Sequence, residues 1–120
     1  MRSLYFPARD LAPHAEPVDA STLEEGRVYF ALGFLDTELL IPTLEPVVFI
    51  GKALEPGDNL FYFQDAESYR CGVRYDSQDG DGEAVFTCGE KPSHIYDFEY
   101  ALNQLMLCSL RRAEHRGDSQ

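Results

Sequence analysis

The apolar residues of this chain gather in short runs separated by polar turns, and the first clear run is Arg27 to Leu35. Val28, Phe30, Leu32 and Phe34 fall on one side of an extended chain there, and Tyr29, Ala31, Gly33 and Leu35 on the other, because successive side chains of a strand point to opposite faces. With both sides apolar, the pattern predicts an interior strand. Two further runs, Val47-Val48-Phe49-Ile50 and Leu60-Phe61-Tyr62-Phe63, flank the turn-rich segment Leu54-Glu55-Pro56-Gly57-Asp58-Asn59. They predict adjacent antiparallel strands, Val47 to Lys52 and Asn59 to Gln64, on a longer-than-minimal loop. Neither run alternates apolar with polar, so both faces of each strand need a cover other than water.

Around these strands the punctuation is legible. Pro7, Pro13 and Pro17 make residues 1 to 20 an extended arm, which Leu4, Tyr5 and Phe6 give something to anchor. Ser21-Thr22-Leu23-Glu24 fits a capping box, but Gly26 limits it to one turn. Pro42 and Pro46 bracket a restricted link after the short apolar bridge Leu39-Leu40-Ile41, whose class the pattern leaves open. Asp65 as N-cap, Glu67 in the first turn, Arg70 late and Gly72 beyond predict a short helix from Ala66 to Cys71. Val73 to Tyr75 reads as a short strand, Asp76 to Glu83 as a polar loop, and Ala84 to Cys88 as a last strand.

The C-terminal third is helical. After Asp97 as N-cap, Phe98, Ala101, Leu102, Leu105, Met106 and Cys108 recur at three- and four-residue steps. Glu99 at its start and Arg111, Arg112, His115 and Arg116 at its end suit the helix dipole, and residues 117–120 should fray. The fold class that follows is α+β: one domain over residues 1–120, an antiparallel sheet of four or five strands with one long C-terminal helix packed across one face. One helix about 10 Å across leaves the second face uncovered. That face is expected to carry Tyr29, Val48, Ile50, Phe61 and Phe63, covered by the N-terminal arm, by a second copy or by another protein.

Composition sharpens this picture mainly through charge. The net charge is −11, and between Asp10 and Glu99 stand 19 acids against the five bases Arg27, Lys52, Arg70, Arg74 and Lys91. Such a field repels phosphate backbones and anionic lipid, so nucleic acid and membrane surfaces are not expected as partners, whereas a basic protein would be drawn in. No window approaches the run of about 20 apolar residues that a membrane span needs. Three widely spaced cysteines, Cys71, Cys88 and Cys108, and a short apolar opening predict a reducing, cytoplasmic compartment.

The candidate chemistry is sparse. Asp76 to Glu83 invites a calcium reading, but counted from Asp79 the loop template finds Ala84 where it needs Gly, so a hydrated hairpin loop is the expectation. Cys88, His94 and Cys108 lack zinc spacing and read as structural, and no metal or cofactor is expected. No nucleotide-binding, nucleophile-elbow or metalloprotease motif is present, and no residue is assigned to catalysis. The leading functional expectation is a non-catalytic protein-interaction or homodimerisation module using the second sheet face. The alternatives are an immunity- or inhibitor-type protein that neutralises a basic enzyme, and a small-ligand-binding protein or enzyme with a pocket near Tyr62, Asp65, Glu67, Tyr69 and Arg70.

Overall fold

The computed structural model describes residues 3–12, 17–75 and 86–118. Five strands, β1 (Val28–Phe34), β2 (Pro42–Lys52), β3 (Phe61–Asp65), β4 (Phe86–Gly89) and β5 (Ile95–Tyr96), form one antiparallel sheet in the order β4-β3-β2-β1-β5. The short helix α1 (Ala66–Arg70) follows β3 directly, and the long helix α2 (Phe98–Asp118) closes the chain against β1 and β5. The α+β architecture with a C-terminal helix across one face is therefore the one the residue pattern predicts.

The sheet has two apolar faces, as the patterns of β1 and the central pair require. On the first, Tyr29, Val47, Phe49, Phe63 and Ile95 form a buried cluster, with Val18, Leu23, Ala31 and Phe61 against it. Its cover comes from the chain itself. Residues 17–26 cross this face: the amide of Val18 donates to the Ile95 carbonyl at 2.8 Å, and the amide of Glu24 donates to the Tyr29 hydroxyl at 2.9 Å. The connection from β4 to β5 joins opposite edges of the sheet, and its Pro92 and Ser93 share a small hollow with Phe61 and Phe63. On the second face, Leu32, Tyr96 and Ala101 are buried, and Phe30, Phe34 and Leu105 pack on them. There α2 covers the β1 and β5 side.

Local details follow from local chemistry. The side chain of Asp65 accepts the Ser68 amide at 3.0 Å and caps α1, while Gly72 at φ +94° ends it. Gln64 is fully buried, and its Nε2 donates to Ser68 Oγ at 2.8 Å and to the Val73 carbonyl at 2.9 Å. Those bonds fold residues 66–75 back onto the second face. Val73 to Tyr75 is consequently irregular and not the predicted strand: the Val73 amide donates to the Ser68 carbonyl at 3.1 Å. Ser21 and Thr22 lie in a single 3₁₀ turn capped by Asp19, two residues earlier than the capping-box reading. The helix α2 starts on Asp97, which accepts the Tyr100 amide at 2.9 Å, and continues through Gly117 to Asp118, where fraying was expected. His115 and Arg116 in its last turn favour that extension.

The largest departure is Pro42 to Pro46, read from the sequence as a link and found as the first half of β2. The ladder explains how two prolines fit a strand. The Phe49 amide donates to the Arg27 carbonyl and the Gly26 amide to the Phe49 carbonyl, so odd-numbered residues of β2 aim their backbone groups at β1. Even-numbered ones aim away, towards an edge that β3 has already left, since Asp65 at its end stands opposite Val47. The missing amides of Pro42 and Pro46 therefore cost no ladder bond. The β5 strand was not foreseen, and the calcium-like loop Asp76 to Glu83 lies outside the described residues.

Candidate interaction face

The residues expected on one contact surface are divided by the register. Tyr29, Phe61 and Phe63 point to the first face, where Tyr29 and Phe63 are buried and Phe61 half-buried under the chain's own segments. Val48 stands beside Gln64 on the second face and is equally buried, beneath α1 and the turn that follows. Ile50 sits at an irregularity between Phe49 and Gly51, where β2 shifts register against β3. Tyr29, Val48 and Phe63 are interior to one copy and Phe61 and Ile50 are half-buried, so the large exposed apolar side chains lie elsewhere.

One group of them lies on the second face, between the two helices, while Leu35, Ile41 and Leu110 are exposed towards the far end of the molecule. Phe30 stands opposite Pro46 on one side and Tyr96 on the other, and Phe98 at the start of α2 meets its ring edge-on with centroids 5.6 Å apart. Val28 and Leu44 lie on the same face, two residues from Phe30 and Pro46 in opposite directions: Val28 stands beside the buried Val48 and Leu44 beside the buried Leu32. By register these form a diagonal apolar strip that runs from Val28 through Phe30 and Pro46 to Leu44, with Phe98 against Phe30. Val28 is 46% exposed, Leu44 45% and Phe98 62%, and Pro46 is also exposed. The neighbouring Thr43 and Glu45, on the opposite face of the same strand, are polar. At the α1 end, Pro46 continues into a hollow of about 510 Å³ lined by Ala66, Glu67, Arg70 and Cys71.

The edge beside this strip is closed to strand addition. Between Pro42 and Pro46 only Leu44 has an amide aimed at the free side, and a strand offering one donor over five residues is a poor template for another. A partner on this face has to engage side chains.

The pocket residues expected near α1 are also dispersed. Tyr62 is buried, its ring edge-on to Tyr75 at 5.5 Å and its hydroxyl donated to Asp58. That donation, with the amides of Leu60 and Glu55, holds the Asp58 carboxyl below its ordinary range against the upward push of burial. Asp65 is spent on the cap. Glu67 and Arg70 are exposed and face the hollow beside Pro46. Tyr69 lies on the other side of α1, where the Arg74 guanidinium stacks 3.8 Å over its ring. This pair borders a separate hollow of about 560 Å³ floored by Phe49, Ile50 and Leu54 and flanked by Glu25. Of the five residues, the structure brings only Glu67 and Arg70 to one hollow.

Two features at the far end of the molecule gave no sequence signal. Arg111 Nε donates to the Leu39 carbonyl at 3.1 Å and Arg112 Nη1 to the Leu40 carbonyl at 2.7 Å, which clamps α2 to the β1–β2 loop. Asp36 organises that loop by accepting the Leu40 and Ile41 amides at 3.0 and 2.9 Å. Burial pushes the Asp36 carboxyl up, but these amides and the Arg111 charge outweigh it, and its pKa lies below the ordinary value. Leu39 pays for the turn with a φ of +62°. Among the described residues, no three His, Cys, Asp or Glu side chains gather to hold a metal, and no helix is long and apolar enough to cross a membrane. Cys108 is buried against the Leu39 carbonyl, and Cys71 is an exposed free thiol. Comparison with family models, with curated proteins and with solved structures gives no match.

Proposed function

We propose that this chain is a non-catalytic interaction protein that self-associates through the second face of its sheet. The observation that carries this reading is the strip Val28, Phe30, Leu44, Pro46 and Phe98, a contiguous apolar surface left between two helices of the same chain. Large apolar side chains at roughly half exposure and clustered on one face mark surfaces that another polypeptide covers, whereas isolated ones do not. The blunted edge of β2 favours a side-chain contact over open-ended strand pairing, which suits a closed pair of copies. An odd number of cysteines, one of them an exposed thiol, fits a reducing, cytoplasmic setting.

Sedimentation of the purified chain tests the reading. A strip variant, Val28→Asp with Leu44→Asp, should lower the measured mass of the assembly, and Thr43→Asp, from the other face of the same strand, should not. A wild-type protein that stays monomeric up to millimolar concentration, or a strip variant that assembles like wild type, would refute it.

A further inference from the structure

The same chain carries an apolar segment that its own fold does not bury. Leu4 and Tyr5 are each 89% exposed and Phe6 66%, in an arm tied to the body at Arg9. Arg9 Nη1 contacts the Glu99 carboxylate at 3.3 Å, and Nη2 donates to the Glu99 carbonyl at the same distance. Glu99 is the residue after Phe98, so the arm leaves the body at one end of the apolar strip.

We propose that Leu4, Tyr5 and Phe6 of one copy lie on the Val28–Leu44–Pro46–Phe98 strip of a second copy, in a reciprocal exchange of arms. This rests on the reading of the strip as a contact surface and names what occupies it. Four observations carry it. First, the lengths agree: the five residues from Arg9 to Leu4 reach about 17 Å when extended, and the strip from Phe98 across Phe30 to Pro46 spans about two strand spacings, roughly 10 Å. Second, the arm is not folded onto its own body. Pro7 restricts Phe6 before it to extended backbone, and Leu4 and Tyr5 beyond it stay 89% exposed. Third, the charges are complementary, because residues 1–8, beyond the Arg9 anchor, hold Arg2 with no acid while the body from Asp10 to Glu99 is strongly acidic. Two whole bodies of this charge repel over a broad face, but a basic arm on an acidic body attracts. Fourth, the area suffices. Three such side chains offer about 500 Å² per arm and the half-exposed strip somewhat less, so two arms and two strips bury roughly 1,600 Å², the size of a standard stable interface.

The test is complementation between two variants, read by sedimentation equilibrium at micromolar concentration. The wild type is expected to be dimeric, and Phe6→Asp and Leu44→Asp each to weaken dimerisation at least tenfold, since each breaks both symmetry-related contacts. An equimolar mixture of the two is expected to recover a mixed dimer, in which the intact arm of one copy meets the intact strip of the other. Both changed residues are exposed, so circular dichroism spectra should match wild type, as should urea midpoints taken at concentrations where every variant is monomeric, and Tyr5→Asp provides a second arm variant. Dimers that persist in Phe6→Asp and Tyr5→Asp but not in Leu44→Asp would overturn the arm exchange and leave the strip as a contact between strips. Dimers that persist in Leu44→Asp would overturn both readings. A monomeric wild type whose Tyr5 and Phe6 amides are protected from hydrogen exchange would place the arm on its own body and equally overturn the exchange.

Discussion

Replacing Phe63 by alanine separates the two faces of the sheet by their energetics. Phe63 is 4% exposed, and its ring centroid lies 5.4 Å from that of Phe49. Truncation removes most of a side chain that buries about 200 Å² and leaves a cavity behind, because β2 and β3 are held in register by their ladder and cannot collapse into it. The expected loss is about 3–5 kcal/mol, a large part of the roughly 5–15 kcal/mol available to a domain of this kind, and Tm should fall by roughly 10–25 °C. About 0.5–1.5 kcal/mol of that loss belongs to the ring pair, so Phe49→Leu and Phe63→Ala should combine non-additively in a double-mutant cycle. Leu44→Ala is the contrasting perturbation. Its side chain is 45% exposed in the single chain, and under dissociating conditions the change should cost less than about 1 kcal/mol. Urea unfolding monitored by circular dichroism, at concentrations where the chain is monomeric, measures both. If Phe63→Ala costs less than about 1 kcal/mol, or Leu44→Ala costs as much as Phe63→Ala, the division into an internally covered face and an open one is wrong.

Two further predictions concern the loops that hold the strands. Gly51 has a φ of +143°, and a Cβ there would approach the Leu54 Cδ2 to 2.9 Å and Glu25 Oε1 to 3.3 Å, so Gly51→Ala should destabilise by about 1–3 kcal/mol in thermal or urea unfolding, and a neutral result would contradict the irregularity drawn between Phe49 and Gly51. Asp19, Asp36 and Asp58 all have carboxyls held below the ordinary value: Asp19 by the Ser21 amide and hydroxyl, Asp36 by the Ile41 and Leu40 amides against burial, Asp58 chiefly by the Tyr62 hydroxyl. A depressed folded-state pKa contributes stability above the unfolded value of about 3.9 that is lost as pH falls through the folded value. Urea midpoints should therefore drop on acidification below about pH 4, and Asp58→Asn should flatten part of that dependence while lowering stability at pH 7.

Much of this fold was legible because the relevant signals are local. The Asp65 cap, the Glu67 and Arg70 placement and the Gly72 stop specify α1 to within a residue, and the two-sided apolar pattern of β1 gives both faces correctly. The assignment of β2 failed where a local rule met a tertiary exception. Pro42-Thr43-Leu44-Glu45-Pro46 alternates apolar and polar as a half-exposed strand should, but the prolines argue against a strand unless one knows that β3 ends opposite Val47. That same segment supplies half of the open strip. Which face lacked a cover was likewise not local information, since it depends on residues 17–26 and the β4–β5 connection crossing over Tyr29 and Phe63. The count of one long helix for two apolar faces posed the right question, and the cover turned out to be extended backbone. The clamp of Arg111 and Arg112 on the Leu39 and Leu40 carbonyls joins residues 72 apart, and no pattern within either segment announces it.

Photo-crosslinking from adjacent residues of β2 puts the central claim to its most direct test. A benzophenone side chain placed at Leu44 projects from the open strip, and the same group at Glu45 projects from the opposite face of the same strand, so each position controls for the other. Illumination of the purified protein followed by peptide mapping should give intermolecular products from position 44 and none from position 45. Equal intermolecular yield from both positions, or products from position 45 alone, would contradict the assignment of the strip as the surface through which copies of this chain meet.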